Sequence, residues 1–189
     1  MSPEPSSGTS ASHSEAQVPL GRRKAGAAAG SAAFLVLAPG VMAGLLPYLL
    51  TGYESQDAPL LARLAGAALL AAGAAVLLHS FARFVTEGIG TPAPVAPTEK
   101  LVVGGLYRFV RNPMYLAVES TILGQWLLLG RPVLLAYGIV FGAIVVAFVR
   151  GYEEPTLLHR YGADYERYRA AVPGWWPRIT AGRVPPGPR

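Results

Sequence analysis

Gly104-Gly105-Leu106-Tyr107-Arg108-Phe109-Val110-Arg111-Asn112-Pro113-Met114-Tyr115 is a polar, basic stretch set between two strongly apolar regions. Its end reads as a helix start. Pro113 suits the first helical position, where a missing N–H costs nothing, and Asn112 before it is a favourable N-cap. The N–H groups of such a first turn carry partial positive charge and attract a carboxylate or phosphate. Arg111, one residue earlier, is placed to grip the same anion through two parallel hydrogen bonds. A second polar cluster, Arg150-Gly151-Tyr152-Glu153-Glu154-Pro155, follows the next apolar region. The two clusters are expected to meet at one membrane face and hold a ligand bearing both charges.

Outward from this stretch the chain has the composition of a membrane protein. Of its 189 residues, 52% are hydrophobic and only 14% charged, and few of the charged residues fall within the long apolar runs. There is no cysteine, which excludes disulfides, thiolate metal sites and cysteine nucleophiles. His13, His79 and His159 lie far apart, without the paired spacing of a zinc site. A formal charge of +5 raises the question of nucleic acid, but the basic residues flank apolar runs, as membrane orientation requires. No nucleic-acid partner is expected.

The expected fold is all-α: a polytopic helical membrane protein with four transmembrane helices and a cytoplasmic C-terminal cofactor-binding region. Residues 1–24 read as a disordered tail ending in Arg22-Arg23-Lys24, since they are rich in Ser, Pro and Glu without apolar periodicity. Residues 25–84 hold two spans, Ala25 to about Leu50 and about Leu60 to Phe84. Pro39 and Pro47 are expected to bend or end the first. Residues 85–189 form the core that carries the polar clusters. Its two shorter apolar runs, Tyr115 to Leu129 and Val133 to Val149, read as a tight helical hairpin broken at Gly130-Arg131-Pro132. Gly88-Ile89-Gly90 is either a close backbone approach to a cofactor or an ordinary turn. A short helix is expected after Gly162 and before Pro173, with Tyr161, Tyr165 and Tyr168 on one face, lying on the membrane or packed on the domain. Basic residues concentrate before the first span, between Val85 and Asn112, and in the C-terminal tail, while Thr51 to Pro59 has none and the hairpin turn only Arg131. That pattern places both termini on the cytoplasmic side of the inner membrane.

A ligand at the clusters would meet Arg111 and the helix start at one end and Glu153 or Glu154 at the other. The pair suits a zwitterion with a carboxylate and an ammonium or sulfonium. The alternative for the two glutamates is a solvated acidic pair where a helix ends at the membrane edge. Arg150 lies on their face if the helix continues that far. Glu119 lies a turn or so inside the third apolar run, where ionisable groups are costly and functional by default; otherwise it faces a cavity at the interface.

Gly105 to Tyr115, then Glu153-Glu154, then Tyr161-Gly162-Ala163-Asp164-Tyr165 and Val172-Pro173, together resemble the isoprenylcysteine carboxyl methyltransferase family and the related phospholipid N-methyltransferases. The resemblance covers roughly residues 88–177. It implies S-adenosylmethionine as methyl donor, contacted by Leu101, Val102, Tyr107, Asn112, Pro113, Met114, Tyr115 and Glu153, with the zwitterionic end near Arg111 and Glu154. It implies a lipophilic methyl acceptor entering from the bilayer. Asn112 stands where the family often has His, and Val149 stands where the eukaryotic enzymes have a substrate-contacting Arg. Arg150, one position away, and Glu119, as general base for an amine or hydroxyl acceptor, are the catalytic candidates. Other functions open to this pattern are an NADPH-dependent membrane lipid reductase and a non-enzymatic membrane scaffold.

Overall fold

The computed structural model describes Ala33, residues 37–83 and residues 101–180, and every regular element among them is helical. In chain order these are α1 (Leu37–Thr51), α2 (Leu60–Arg83), α3 (Pro113–Leu129), α4 (Pro132–Tyr161) and α5 (Ala163–Ala171). The N-terminal tail, most of the first half of the first apolar run, and Gly88-Ile89-Gly90 lie outside the described residues.

Helix boundaries follow local chemistry. Pro113 opens α3, and Gly130 closes it in the left-handed conformation at φ 66°. Its N–H returns to the Trp126 carbonyl at 2.9 Å. Arg131 is extended and Pro132 opens α4, so the expected hairpin is tight. Two details differ from expectation. Asn112 does not cap α3 with its side chain; the amide is engaged elsewhere. Helix α4 does not stop near Val149 but widens into a π turn over Val149–Glu153 and runs on to Tyr161. In an α-helix the Pro155 ring strikes the carbonyl four residues earlier, and the wider turn relieves that clash. Glu153 and Glu154 therefore sit inside a continuous helix, not at a helix end.

Helix α1 continues past both Pro39 and Pro47, so neither proline ends it. The backbone is π-helical over Val41–Leu45 and helical again to Thr51. Pro47 offers no N–H to the Ala43 carbonyl, and in an apolar surrounding that oxygen needs a donor. Gln125 of α3 supplies it, with Nε2 2.7 Å from the Ala43 oxygen. Tyr137 and Tyr53 likewise donate to the Met42 and Gly44 carbonyls, at 2.7 Å and 2.8 Å. Gln125→Leu keeps the bulk and deletes the donor. It should cost about 1–3 kcal/mol, the penalty of an unpaired buried acceptor. Thermal melting in detergent checks this; a wild-type melting temperature would contradict it.

Two helices, α2 and α4, are long and apolar enough to cross a membrane. Only 11% of the most apolar stretch of α2 is buried, so its leucines need an apolar solvent rather than a protein core. Leu60, Leu61, Leu64 and Leu78 all face outward. The chain is a membrane protein. Helix α2 packs antiparallel along α3 at backbone contact distance. A Cβ on Gly66 would lie 2.6 Å from the Gly124 oxygen, and one on Gly73 2.8 Å from the Ala117 oxygen. Small residues allow this approach, as in other membrane helix pairs.

The connections sort to opposite ends. Gln56 N–H bonds the Leu129 carbonyl at 2.7 Å, and Gly130 sits against Gln56, Asp57 and Ala58, so the two short turns share one end. At the other end, Gly105 lies against His79 and Arg83 of α2, and the polar clusters gather there with α5.

Candidate functional site

The site is built on a small aromatic core outside the long helices. Val102, Tyr107, Tyr165, Tyr168 and Val172 are buried together, with Leu101, Met114 and Tyr161 packed around them. The tyrosine face of α5 thus packs on the domain. Tyr168 donates its hydroxyl to the Tyr107 carbonyl at 2.8 Å. Burial pushes the Tyr165 and Tyr168 hydroxyls above the usual tyrosine range, so both stay neutral at ordinary pH.

This core presses the chain after α5 against the stretch that precedes α3. Arg111 N–H bonds the Pro173 carbonyl at 2.9 Å, and Arg178 N–H bonds the Phe109 carbonyl at 3.1 Å. Asn112 Nδ2 donates to the Gly174 carbonyl at 3.1 Å. The Asn112 amide therefore ties the tail to the start of α3, a role that its helix-capping chemistry does not reveal. Gly174 packs closely here, since a Cβ would fall 3.1 Å from Arg111 Nη2.

Arg111 is the centre of the cluster. Its Nη1 lies 2.8 Å from Glu154 Oε1 and donates to the Tyr165 hydroxyl at 3.1 Å. Arg169 approaches the other Glu154 oxygen at 3.9 Å. The guanidinium expected to stand free for an anion is thus largely engaged by Glu154. Its Nε is buried and has no hydrogen-bond partner among the described residues. Glu153 is separate: Tyr115 donates its hydroxyl to Glu153 Oε2 at 2.8 Å. One glutamate pairs with arginine and the other meets a tyrosine hydroxyl.

Leu101, Val102, Tyr107, Arg111, Asn112, Pro113, Met114, Tyr115, Glu153 and Glu154 are therefore gathered at one end of the bundle. Arg150 lies at the same end, in the π turn with Glu153, but it is exposed and forms no ion pair with Glu153 or Glu154. Glu119 lies one helical turn from Tyr115 on the same face of α3. It lines a cavity of about 270 Å³ between α3 and α4, whose wall also includes Tyr115, Gly138, Gly142 and Trp175. Through Tyr115, which bonds Glu153, the cavity borders the polar cluster. The sequence reading missed Gly138 and Gly142, although their four-residue spacing within an apolar helix marks one small-residue face. Tyr165 and the carbonyls of Pro173 and Gly174 were also missed as partners of Arg111 and Asn112. Among the described residues no cluster of three or more His, Asp or Glu side chains is fit to hold a metal ion.

No curated protein and no solved structure matches this chain. The sequence pattern of the phospholipid methyltransferases does match, over residues 61–164, which takes in α2, α3, α4 and both polar clusters. That match spans more than half of the 189 residues, and the chain belongs to the phospholipid methyltransferase family.

Proposed function

We propose that the protein is a membrane-embedded, S-adenosylmethionine-dependent methyltransferase acting on a lipophilic small-molecule or lipid acceptor. The observation that carries this reading is the convergence of Tyr115, Glu153, Arg111 and the start of α3 at one end of a helical bundle belonging to a methyltransferase family. The donor is a zwitterion, and the residues fit its charges. Glu153 would face its cationic group. The first-turn amides of α3, which a helix start leaves without intrahelical partners, would receive its carboxylate together with the buried Arg111 Nε. When bound, it supplies a methyl group on a positively charged sulfur.

The chain's own contribution is placement. Holding acceptor and donor in line can account for about 7–11 kcal/mol of a displacement barrier. The aromatic core and the tail clasp would fix the donor side and exclude water, while the cavity between α3 and α4 would admit an acceptor from the bilayer. Four spans with both termini in the cytoplasm of an inner-membrane protein accord with the two short turns at the end opposite the site. Reporter fusions within residues 52–58 and 93–98 should then report opposite sides.

Thermal melting of the purified protein in detergent tests the reading. S-adenosylmethionine at 100 times its dissociation constant should stabilise by about 2.7 kcal/mol, and NADPH should have no effect. Glu153→Gln should weaken donor binding by about 1.5–3 kcal/mol, and Arg63→Gln, at the far end of α2, should leave it unchanged. Stabilisation by NADPH alone would overturn the proposal in favour of a reductase, and a response to neither ligand in favour of a scaffold.

A further inference from the structure

A second cavity lies toward the other end of the bundle, beside the two short turns. It has a volume of about 370 Å³, and its wall includes Ala43, Tyr53, Leu70, Thr121, Gln125 and Leu128. Gln125 and Tyr115 are ten residues apart on α3, about 15 Å along the axis, so this cavity is separate from the polar cluster. Gln125 is only 5% exposed. Its amide nitrogen donates to the Ala43 carbonyl at 2.7 Å and to the Thr121 carbonyl at 3.2 Å, which uses both hydrogens. Those two acceptors fix which side-chain atom is the nitrogen. Oε1 is left buried, with no hydrogen-bond partner among the described residues. The clamp on Ala43 accounts for the donor half of this side chain and not for the acceptor half. Native structures leave few buried polar atoms in that condition.

The other wall groups define what would satisfy Oε1. Thr121 donates its hydroxyl to the Ala117 carbonyl at 2.9 Å, and Tyr53 donates its own to the Gly44 carbonyl at 2.8 Å. The side-chain donors of the wall are therefore in use, while Gln125 Oε1 and both hydroxyl oxygens can still accept. An occupant must bring a donor. No Asp or Glu lines the cavity, so an ammonium would be buried without a counter-charge. An ether or an ester brings acceptors alone. A hydroxyl brings one neutral donor, and the leucines around it call for hydrocarbon behind that hydroxyl. A water would also donate, but its share of liquid volume, about 30 Å³, fills little of this space.

We propose that the cavity bounded by α1, α2 and α3 binds an apolar alcohol, whose hydroxyl donates to Gln125 Oε1. The site bears on the π turn of α1. Gln125, Tyr53 and Tyr137 hold the carbonyls of Ala43, Gly44 and Met42, and the first two of these side chains also line the cavity. An alcohol seated there completes the hydrogen bonding of Gln125 and packs against the segment that Gln125 clamps. The inference goes beyond the methyltransferase reading and stands or falls without it.

The test uses the full-length protein in nanodiscs and tritiated hexadecan-1-ol carrying a diazirine near its hydroxyl. After irradiation the label should map to Tyr53, Leu70 or Leu128, and unlabelled hexadecan-1-ol should displace it. The competitor 1-methoxyhexadecane keeps the chain and loses the donor, and should displace the label about fivefold or more less well. Folded Gln125→Leu should compete alike with alcohol and ether. Leu70→Phe narrows the cavity and leaves Gln125 intact; it should weaken labelling, and it covers the case in which Gln125→Leu does not fold. Gly142→Val, in the cavity between α3 and α4, should leave labelling at Tyr53 and Leu70 unchanged. Equal displacement by alcohol and ether in wild type, or an alcohol preference that survives Gln125→Leu, would overturn the proposal. So would label confined to Ile139 and Phe141, or label that no competitor displaces, the result for a cavity holding water alone.

Discussion

Gly66→Leu should leave the protein unable to assemble its helical bundle. Helices α2 and α3 touch through backbone at this point, and a Cβ on Gly66 would lie 2.6 Å from both the Gly124 oxygen and the Leu128 nitrogen. Backbone atoms cannot swing aside as a flexible side chain can. Overpacking a dense contact typically costs about 1–3 kcal/mol, and a leucine that must push the helices apart belongs at or above the top of that range. The alanine variants separate sterics from backbone propensity. Alanine favours a helix over glycine by about 0.5–1 kcal/mol, so Gly44→Ala, with nothing within 4 Å of its Cβ, should be neutral or slightly stabilising. Gly66→Ala should be destabilising in spite of the same propensity gain. Melting temperatures in one detergent, with size-exclusion profiles for Gly66→Leu, decide it; Gly66→Ala as stable as Gly44→Ala would contradict the close approach.

Arg111→Leu should release the C-terminal region while the long helices stay folded. The guanidinium joins α4 through Glu154 and α5 through Tyr165, and its backbone N–H holds Pro173. Removing one partner of a largely buried ion pair leaves the other charge uncompensated, which costs about 3–5 kcal/mol when burial is complete. Arg111 and Glu154 keep 14% and 21% side-chain exposure, so the lower end, about 3 kcal/mol, applies. Glu154→Gln should cost less, because Arg111 retains the Tyr165 hydroxyl and the glutamine amide oxygen can still accept from its guanidinium. Hydrogen exchange by mass spectrometry reads the effect locally: amides of α5 and residues 172–178 should lose protection in Arg111→Leu, and those of α2 and α3 should not. Unchanged protection in α5 would show that the aromatic core alone holds the tail.

Much of this architecture was legible because membrane helices declare themselves by apolar length and basic flanks. The run from Leu60, the Pro113 start, the Gly130–Arg131 break and the α5 helix between Gly162 and Pro173 all lie where the sequence put them. Where a helix end was read and none occurs, at Pro47 and at Glu153-Glu154, the backbone widens into a π turn, and at Pro47 a side-chain donor from another element takes up the freed carbonyl. Whether a donor such as Gln125 stands opposite a freed carbonyl is a tertiary fact, separated here by 82 positions in the chain. The candidate site was legible as a set of residues but not as a set of pairs. Charge alone matched Arg111 equally well with either glutamate or with an external anion; helix phase in the widened turn turned Glu154 toward it and Glu153 toward Tyr115.

The most direct test of the central claim is transfer of labelled methyl from S-adenosylmethionine into a native membrane extract by the purified full-length protein. The account predicts label in the organic phase with wild type, little or none with folded Glu153→Gln, and undiminished labelling with Arg63→Gln. Label that stays in the aqueous phase with wild type, or enters the organic phase equally with Glu153→Gln, would contradict it.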